Sequence, residues 1–225
     1  MPVQIVPIPM GISTSYLLKD KGTLLIETGD PRRAPTFLKA LQKHSIDPEE
    51  VKLIIITHGH TDHIGSARAI KEMTGARLAI HAEDKDRLEK GIVRVPPGVT
   101  PWGKILSRSM SAFASLIRIE PAEADITLGD EPFPLEEYGI PGKILYTPGH
   151  TRGSVTVLLD TGEAFAGDAV FNKFPLTLRP GLPIFAEDIS SVKNSLHTLL
   201  AQGAQTIFPA HGKPFPADQL RSFCL

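Results

Sequence analysis

The sequence predicts an α/β protein, and three observations carry that prediction. Short apolar runs of the kind that form strands alternate along the chain with stretches whose apolar residues recur at helical spacing. Several of the strand-like runs stop at a polar or charged residue, the position at which α/β proteins gather ligands. The 225 residues are 41% hydrophobic and 22% charged, which is enough apolar material to bury a sizeable core in a single domain spanning 1–225.

Taken in order, strand-like runs occupy 3–8, 14–18 and 23–26, separated by turns at Gly11 and at Lys21-Gly22. Pro31 opens a helical pattern with Phe37, Leu38 and Leu41 on one face, ending near Ser45. A buried strand follows over 51–57, then a helix over 64–73 closed by Gly75, then a strand over 78–80. From about 92 to 119 the rhythm breaks into a helical insertion. Thr100 and Pro101 make a helix start, and Trp102, Ile105, Leu106, Met110, Phe113 and Ile117 recur at helical spacing. This amphipathic helix has three fates open to it: packing on its own domain, covering a site as a lid, or forming a homodimer contact. Strands are expected again at 126–128, 143–147, 155–159 and 163–166. A Pro-rich apolar loop over 171–185, a helix over 187–202 and a strand over 206–208 complete the pattern.

Composition excludes several function classes. Net charge is -1 and the isoelectric point about 6.7, so the whole-chain balance offers neither a basic stripe for nucleic acid nor a polybasic membrane anchor. The uncharged first 18 residues lack a cationic start and are broken by Pro2, Pro7, Pro9 and Gly11, so they read as a strand and turn, with the chain expected in the cytoplasm. No continuous apolar run approaches the ~20 residues of a membrane helix. A single cysteine, Cys224, excludes an intrachain disulfide and any CxxC site. Nitrogen and oxygen must supply any metal ligands.

They are abundant in "THGHTDH", residues 57–63, directly after the apolar run 51–56. Alternate side chains of an extended segment point the same way, so His58 and His60 can share one ion while Asp62 and His63 turn toward another. His150 in "TPGHTRGS", Asp168 in "FAGDAV" and His211 in "FPAHGKP" add single ligands, with Glu27 nearby at another strand end. Five histidines placed at strand ends have no packing rationale. His44, His81 and His197 stand outside any such cluster and read as ordinary polar residues.

The order HxHxDH, PGHT, GD and a final strand-end histidine, spread between Glu27 and His211, resembles the metallo-β-lactamase superfamily. That resemblance implies a four-layer αβ/βα sandwich with a dinuclear metal site at one edge. By position, His58, His60 and His150 would hold the first metal, Asp62, His63 and His211 the second, and Asp168 would bridge them. Two zinc ions are the implied cofactor, with iron or manganese as alternative occupants. Glu27 stands where the family usually has Asp, a residue that supports the metal loop from behind.

Within the superfamily, β-lactamases place Cys or Ser where Asp168 stands. Glyoxalase II and the persulfide dioxygenases carry a Gly-Cys-Gly-Arg stretch that "GDAVFNKFPLTLRPG" lacks, and acyl-homoserine lactonases carry a Tyr where Phe171 stands. The expected function is hydrolysis of an ester, thioester or lactone of a small acyl compound, with Asp62 passing a proton from the nucleophile to the leaving group. Phe171, Phe185 and Trp102 are the expected pocket walls; neither nucleic acid nor membrane is an expected partner. Two rival chemistries are a glyoxalase II-type thioester hydrolase and a mononuclear iron persulfide dioxygenase built on His58, His150 and Asp168.

Overall fold

In the computed structural model, which describes residues 2–224, strands and helices follow the predicted rhythm. The first half runs β1 (Gln4–Pro9), β2 (Thr14–Lys19), β3 (Thr23–Ile26), α1 (Ala34–Lys43), β4 (Val51–Ile55), α2 (Thr61–Ile64), α3 (Ala67–Thr74), β5 (Arg77–His81), α4 (Ala82–Glu89), α5 (Pro101–Phe113) and β6 (Ile126–Leu128). The second runs β7 (Phe133–Pro134), β8 (Gly142–Tyr146), β9 (Val155–Leu159), β10 (Glu163–Gly167), α6 (Ile189–Ala201), β11 (Thr206–Pro209), β12 (Phe215–Pro216) and α7 (Arg221–Cys224). Each half builds one sheet, ordered β1-β2-β3-β4-β5-β6 and β12-β11-β10-β9-β8-β7.

Strand periodicity explains the layering. Leu53 and Ile55 of β4 face the second sheet and pack with Leu24, Ile26, Val157 and Phe165. Ile54 and Ile56 point the other way, into a cluster with Phe37 and Leu41 of α1 and Ile70 of α3. β4 reads as a continuous apolar run because both its faces are covered. On the far side, Leu158, Ala164 and Ile207 pack against Val192, Leu196 and Leu199 of α6. The result is helices, sheet, sheet, helices: the four-layer αβ/βα sandwich. Each fully buried Leu or Ile contributes about 1.5–3 kcal/mol, which makes these clusters the main source of stability.

Differences from the sequence reading have local causes. The helix expected over 64–73 is two pieces, because the Ser66 hydroxyl turns back to donate to the Asp30 carbonyl (2.7 Å) and accepts from the Arg33 amide (2.7 Å). Pro31 does not open α1. Arg32 takes a left-handed turn (φ 67°) and the helix begins at Ala34, with Pro35 in its first turn. Helix α4 escapes periodicity altogether because Leu88 is its one large apolar residue. It is instead capped by His81, whose Nδ1 accepts from the Glu83 amide at 3.3 Å, and it carries Glu83 and Asp84 in its first turn. Helix α5 starts as expected: Thr100 accepts from the Gly103 amide at 3.0 Å and Pro101 occupies the first turn.

What this architecture does for function is converge strand ends. β3 and β4 are parallel, as are β10 and β11. Their C-terminal ends, together with the turn between β8 and β9, present Glu27, His58, Asp168, His211 and His150 at one edge of the sandwich.

Candidate metal centre

Two triads of ligand atoms lie side by side at that edge. His58, His60 and His150 form one, and Asp62, His63 and His211 the other; within each, the ligand atoms lie within 4.8 Å of one another. Nδ1 of His60 and Nε2 of His150 are 3.0 Å apart. In the second triad, Asp62 Oδ2 lies 3.1 Å from His211 Nε2 and 3.4 Å from His63 Nε2. Asp168 stands between them with its two oxygens divided. Oδ2 faces the first triad, at 3.5 Å from His150 Nε2 and 3.9 Å from His58 Nε2. Oδ1 faces the second, at 3.4 Å from His211 Nε2 and 3.5 Å from His63 Nε2.

Four of the five rings are oriented by a contact at the other nitrogen. His150 Nδ1 donates to the Phe185 carbonyl at 2.9 Å, and His211 Nδ1 to the Ile12 carbonyl at 3.1 Å. Nδ1 of His58 lies 3.1 Å from the Thr57 hydroxyl, and Nδ1 of His63 lies 3.2 Å from Glu27 Oε1. Such contacts fix which nitrogen is left to bind a metal. Glu27 thus reaches His63 despite its extra methylene; the same oxygen accepts a short hydrogen bond from the Thr57 hydroxyl. To do so Glu27 adopts a left-handed backbone (φ 67°), a conformation that costs about 1 kcal/mol or more for a residue of this kind. Gly167 is required for a related reason: a Cβ there would collide with the Thr57 hydroxyl, and its φ is +50°.

One residue was not legible in the sequence. Asp84, buried on α4, accepts from the Gly59 amide (2.9 Å) and from the Thr151 hydroxyl (2.6 Å), so a single carboxylate ties the HGH loop to the PGHT loop. Arg87 one turn on lies 3.2 Å from Asp84 and bonds Glu187 at 2.6 Å. The only signal was an Asp and an Arg three apart in a polar stretch, which is common on exposed helices.

Protonation follows from burial and from the division of charges. Burial pushes the His58 and His60 imidazoles well below their usual range; His63 and His150 add to it at His58, and His150 and Arg87 at His60. Burial likewise lowers His150. All three are neutral, the form that binds metal. For His63 burial also pulls downward, but Asp62, Glu27 and Asp168 outweigh it and hold the ring well above its usual value. His211 is raised to about 10, burial again being outweighed, here by Asp168 and Asp62. Binding a metal at the second triad therefore means displacing protons.

A cavity of about 480 Å³ opens onto His60, Asp62, Asp168 and His211, and Phe171 and Phe185 stand in its wall with Val93, Val95 and Leu106. Trp102 does not line it. The residue is 45% exposed, and its indole is turned to the 169–186 segment, where it donates to the Pro175 carbonyl at 3.2 Å. His81 lies apart from the cluster, stacked on Tyr146 at 4.5 Å and 3.3 Å from Asp130.

The comparisons with known proteins agree with this geometry. A profile of the metallo-beta-lactamase superfamily matches residues 8–211. The chain is 29% identical over 159 residues to a hydroxyacylglutathione hydrolase of Pelagibacter ubique, covering 70% of this chain and 51% of that protein. It is 29% identical over 209 residues to a beta-lactamase-like protein 2 homolog of Drosophila melanogaster, covering 90% and 59%. The chain thus spans between half and three-fifths of the length of these two relatives. Among solved structures, the B3 metallo-beta-lactamase BLEG-1 superposes with a TM-score of 0.73 at 21% identity, covering 97% of each chain, which shows the shared fold. The protein belongs to the metallo-β-lactamase superfamily, a family of metallo-hydrolases.

Proposed function

We propose that the protein is a dinuclear zinc hydrolase that cleaves an ester, thioester or lactone of an apolar acyl compound. The observation that carries this reading is Asp168, whose two oxygens face two separate triads of nitrogen and oxygen donors. The residues fit a pair of divalent ions. His58 Nε2, His63 Nε2 and Asp168 Oδ1 are buried with no hydrogen-bond partner among the described residues, a cost that metal ligation would remove. Imidazole and carboxylate without thiolate is a donor set zinc accepts.

His58, His60 and His150 would hold one ion, Asp62, His63 and His211 the other, with Asp168 shared. Bound zinc supplies an acidified water and polarises a carbonyl. The remaining work belongs to the chain. Asp62 lines the cavity, and its Oδ1, the carboxylate oxygen not turned toward His63 and His211, can take a proton and return it to the leaving group. Phe171 and Phe185 exclude water and seat the apolar part of the acyl compound, while the Phe185 carbonyl holds His150 in place. The rival arrangement, one iron on His58, His150 and Asp168, leaves Asp62, His63 and His211 converging on nothing. The likeness to a hydroxyacylglutathione hydrolase supports including thioesters among the substrates to be tried.

The test is metal analysis on purified protein together with a panel of acyl thioesters, lactones, aryl esters and phosphoesters. Close to two zinc per chain and turnover of carboxylic esters or thioesters is the expected result. One iron per chain with oxygen consumption would overturn it.

A further inference from the structure

The cap over the cavity has a surface that folding does not explain. It is made of two segments, 91–119 and 169–186, joined by the Trp102–Pro175 hydrogen bond (3.2 Å) and by the Val99 amide donating to the Ile184 carbonyl (2.9 Å). On its outside Trp102, Ile105, Phe113, Leu116, Phe174 and Leu178 are exposed, Ile105 at 60% and Leu178 at 91%. Scattered exposed apolar side chains are ordinary, but a cluster on one structural unit marks an interaction surface.

Charge on the same unit is segregated. The segments 91–119 and 169–186 contain no acidic residue, yet they carry Arg94, Lys104, Arg108, Arg118, Lys173 and Arg179. All six are exposed, and among the described residues none forms an ion pair. The whole-chain charge of -1 conceals this by averaging over the rest of the molecule. The expectation of no membrane partner draws on that average and on the lack of an apolar run long enough to span a bilayer, and neither registers a local surface.

The apolar surface is also continuous with the cavity. Met110, Phe113 and Ile117 line the cavity and are also open to solvent, Phe113 at 61%. An acyl chain can pass from the outer face to the metal-facing end along side chains of one character.

We infer that this cap docks on an anionic lipid bilayer, placing the mouth of the cavity at the source of an apolar acyl substrate. Exposed Trp, Leu, Ile and Phe tips on segments that also carry six exposed Lys and Arg suit the headgroup boundary, where apolar contact and attraction to anionic lipid act together. A second copy fits less well, because a twofold contact through this face would set like cations against each other. The inference rests on the hydrolase reading only for the purpose of docking, not for its occurrence.

Trp102 is the chain's single tryptophan, so its emission reports on this face directly. The full chain is titrated with phosphatidylcholine vesicles, with and without phosphatidylglycerol, while fluorescence and co-sedimentation are read. A blue shift and sedimentation with the anionic vesicles alone, fading as salt rises, is expected. Ile105→Asp combined with Leu178→Asp should abolish both. Lys104→Glu with Arg108→Glu should weaken partitioning by at least about tenfold, each Lys or Arg being worth about 1 kcal/mol near such a surface. Circular dichroism and hydrolysis of a water-soluble aryl ester should stay unchanged in both variants. No response to anionic vesicles, or an equal response to neutral ones, overturns the inference. So does a dimer by light scattering that the Ile105→Asp/Leu178→Asp variant dissolves, which would assign the face to a second copy. Because vesicle binding needs no turnover, its failure leaves the hydrolase reading standing, and an inactive protein that binds vesicles removes only that reading.

Discussion

The metal centre and the cap that covers it are built by opposite rules. At the centre the candidate ligands are buried or nearly so, and four of the five histidines are held from behind by a second group: Phe185 for His150, Ile12 for His211, Glu27 for His63, Thr57 for His58. In the cap, large apolar side chains end in solvent and six cations stand without counterions among the described residues. Geometry that is fixed from several sides can orient reacting groups, whereas a surface left unsatisfied by the fold is available to something outside it. The contrast predicts that substitutions at the centre act through metal and rate, and substitutions in the cap through substrate choice and location.

The largest effect should come from Asp168→Ser. It removes the carboxylate whose oxygens face both triads and leaves a neutral hydroxyl that cannot reach both. The variant should fold normally by circular dichroism, purify with close to one metal per chain and lose at least ~100-fold in turnover, the scale of removing a key electrostatic stabiliser. Two metals retained with near-normal turnover would break the contrast at its centre.

Glu27→Gln probes the support rather than the ligands. The amide keeps the shape of the side chain but loses the charge beside His63 Nδ1, which lies 3.2 Å away. Metal affinity at the second triad should fall about 10- to 100-fold, measured by competition with a chelator, while the first triad keeps its ion. An unchanged affinity at both positions would mean that the Glu27 charge does not matter to His63.

How much of this was written in the sequence depends on how locally each feature is encoded. His58, His60, Asp62 and His63 lie within one heptapeptide and were legible as a cluster at a strand end. His150, Asp168 and His211 are scattered, and their convergence came from the resemblance and then from the parallel strand ends that carry them. The groups behind the rings were partly invisible, because the carbonyls of Phe185 and Ile12 carry no side-chain identity. Asp84 was missed because a buried carboxylate on a polar helix looks like an exposed one. Trp102 was misplaced for a different reason: helical spacing groups residues on a stripe, but which flank of that stripe meets the cavity depends on how the helix rolls against its neighbours.

Phe185→Ala should sharpen the boundary between the two regions. Its ring lines the cavity, but the carbonyl that orients His150 belongs to the backbone and survives the substitution. Metal content should therefore stay constant while relative rates among acyl chain lengths shift by ~1 to 3 kcal/mol, the worth of a lost apolar contact. Uniform rates across chain lengths would show that the cavity wall does not select substrate; lost metal would show that the ring itself holds the centre together.

The smallest effect is expected at the most exposed apolar residue of the cap. Leu178 is 91% exposed, so almost none of its surface leaves water on folding and its hydrophobicity contributes nothing to the folded state. Leu178→Ser should change the free energy of unfolding by no more than ~0.5 kcal/mol, as surface substitutions away from special features do, and should leave metal content unaltered. Chemical denaturation at two protein concentrations decides the matter. A loss well above that range, or one that grows with protein concentration, would mean that Leu178 is covered in solution by another copy of the chain. If stability is indifferent to Leu178, its apolar character is not a requirement of the fold, and the cause must be sought in what the cap meets.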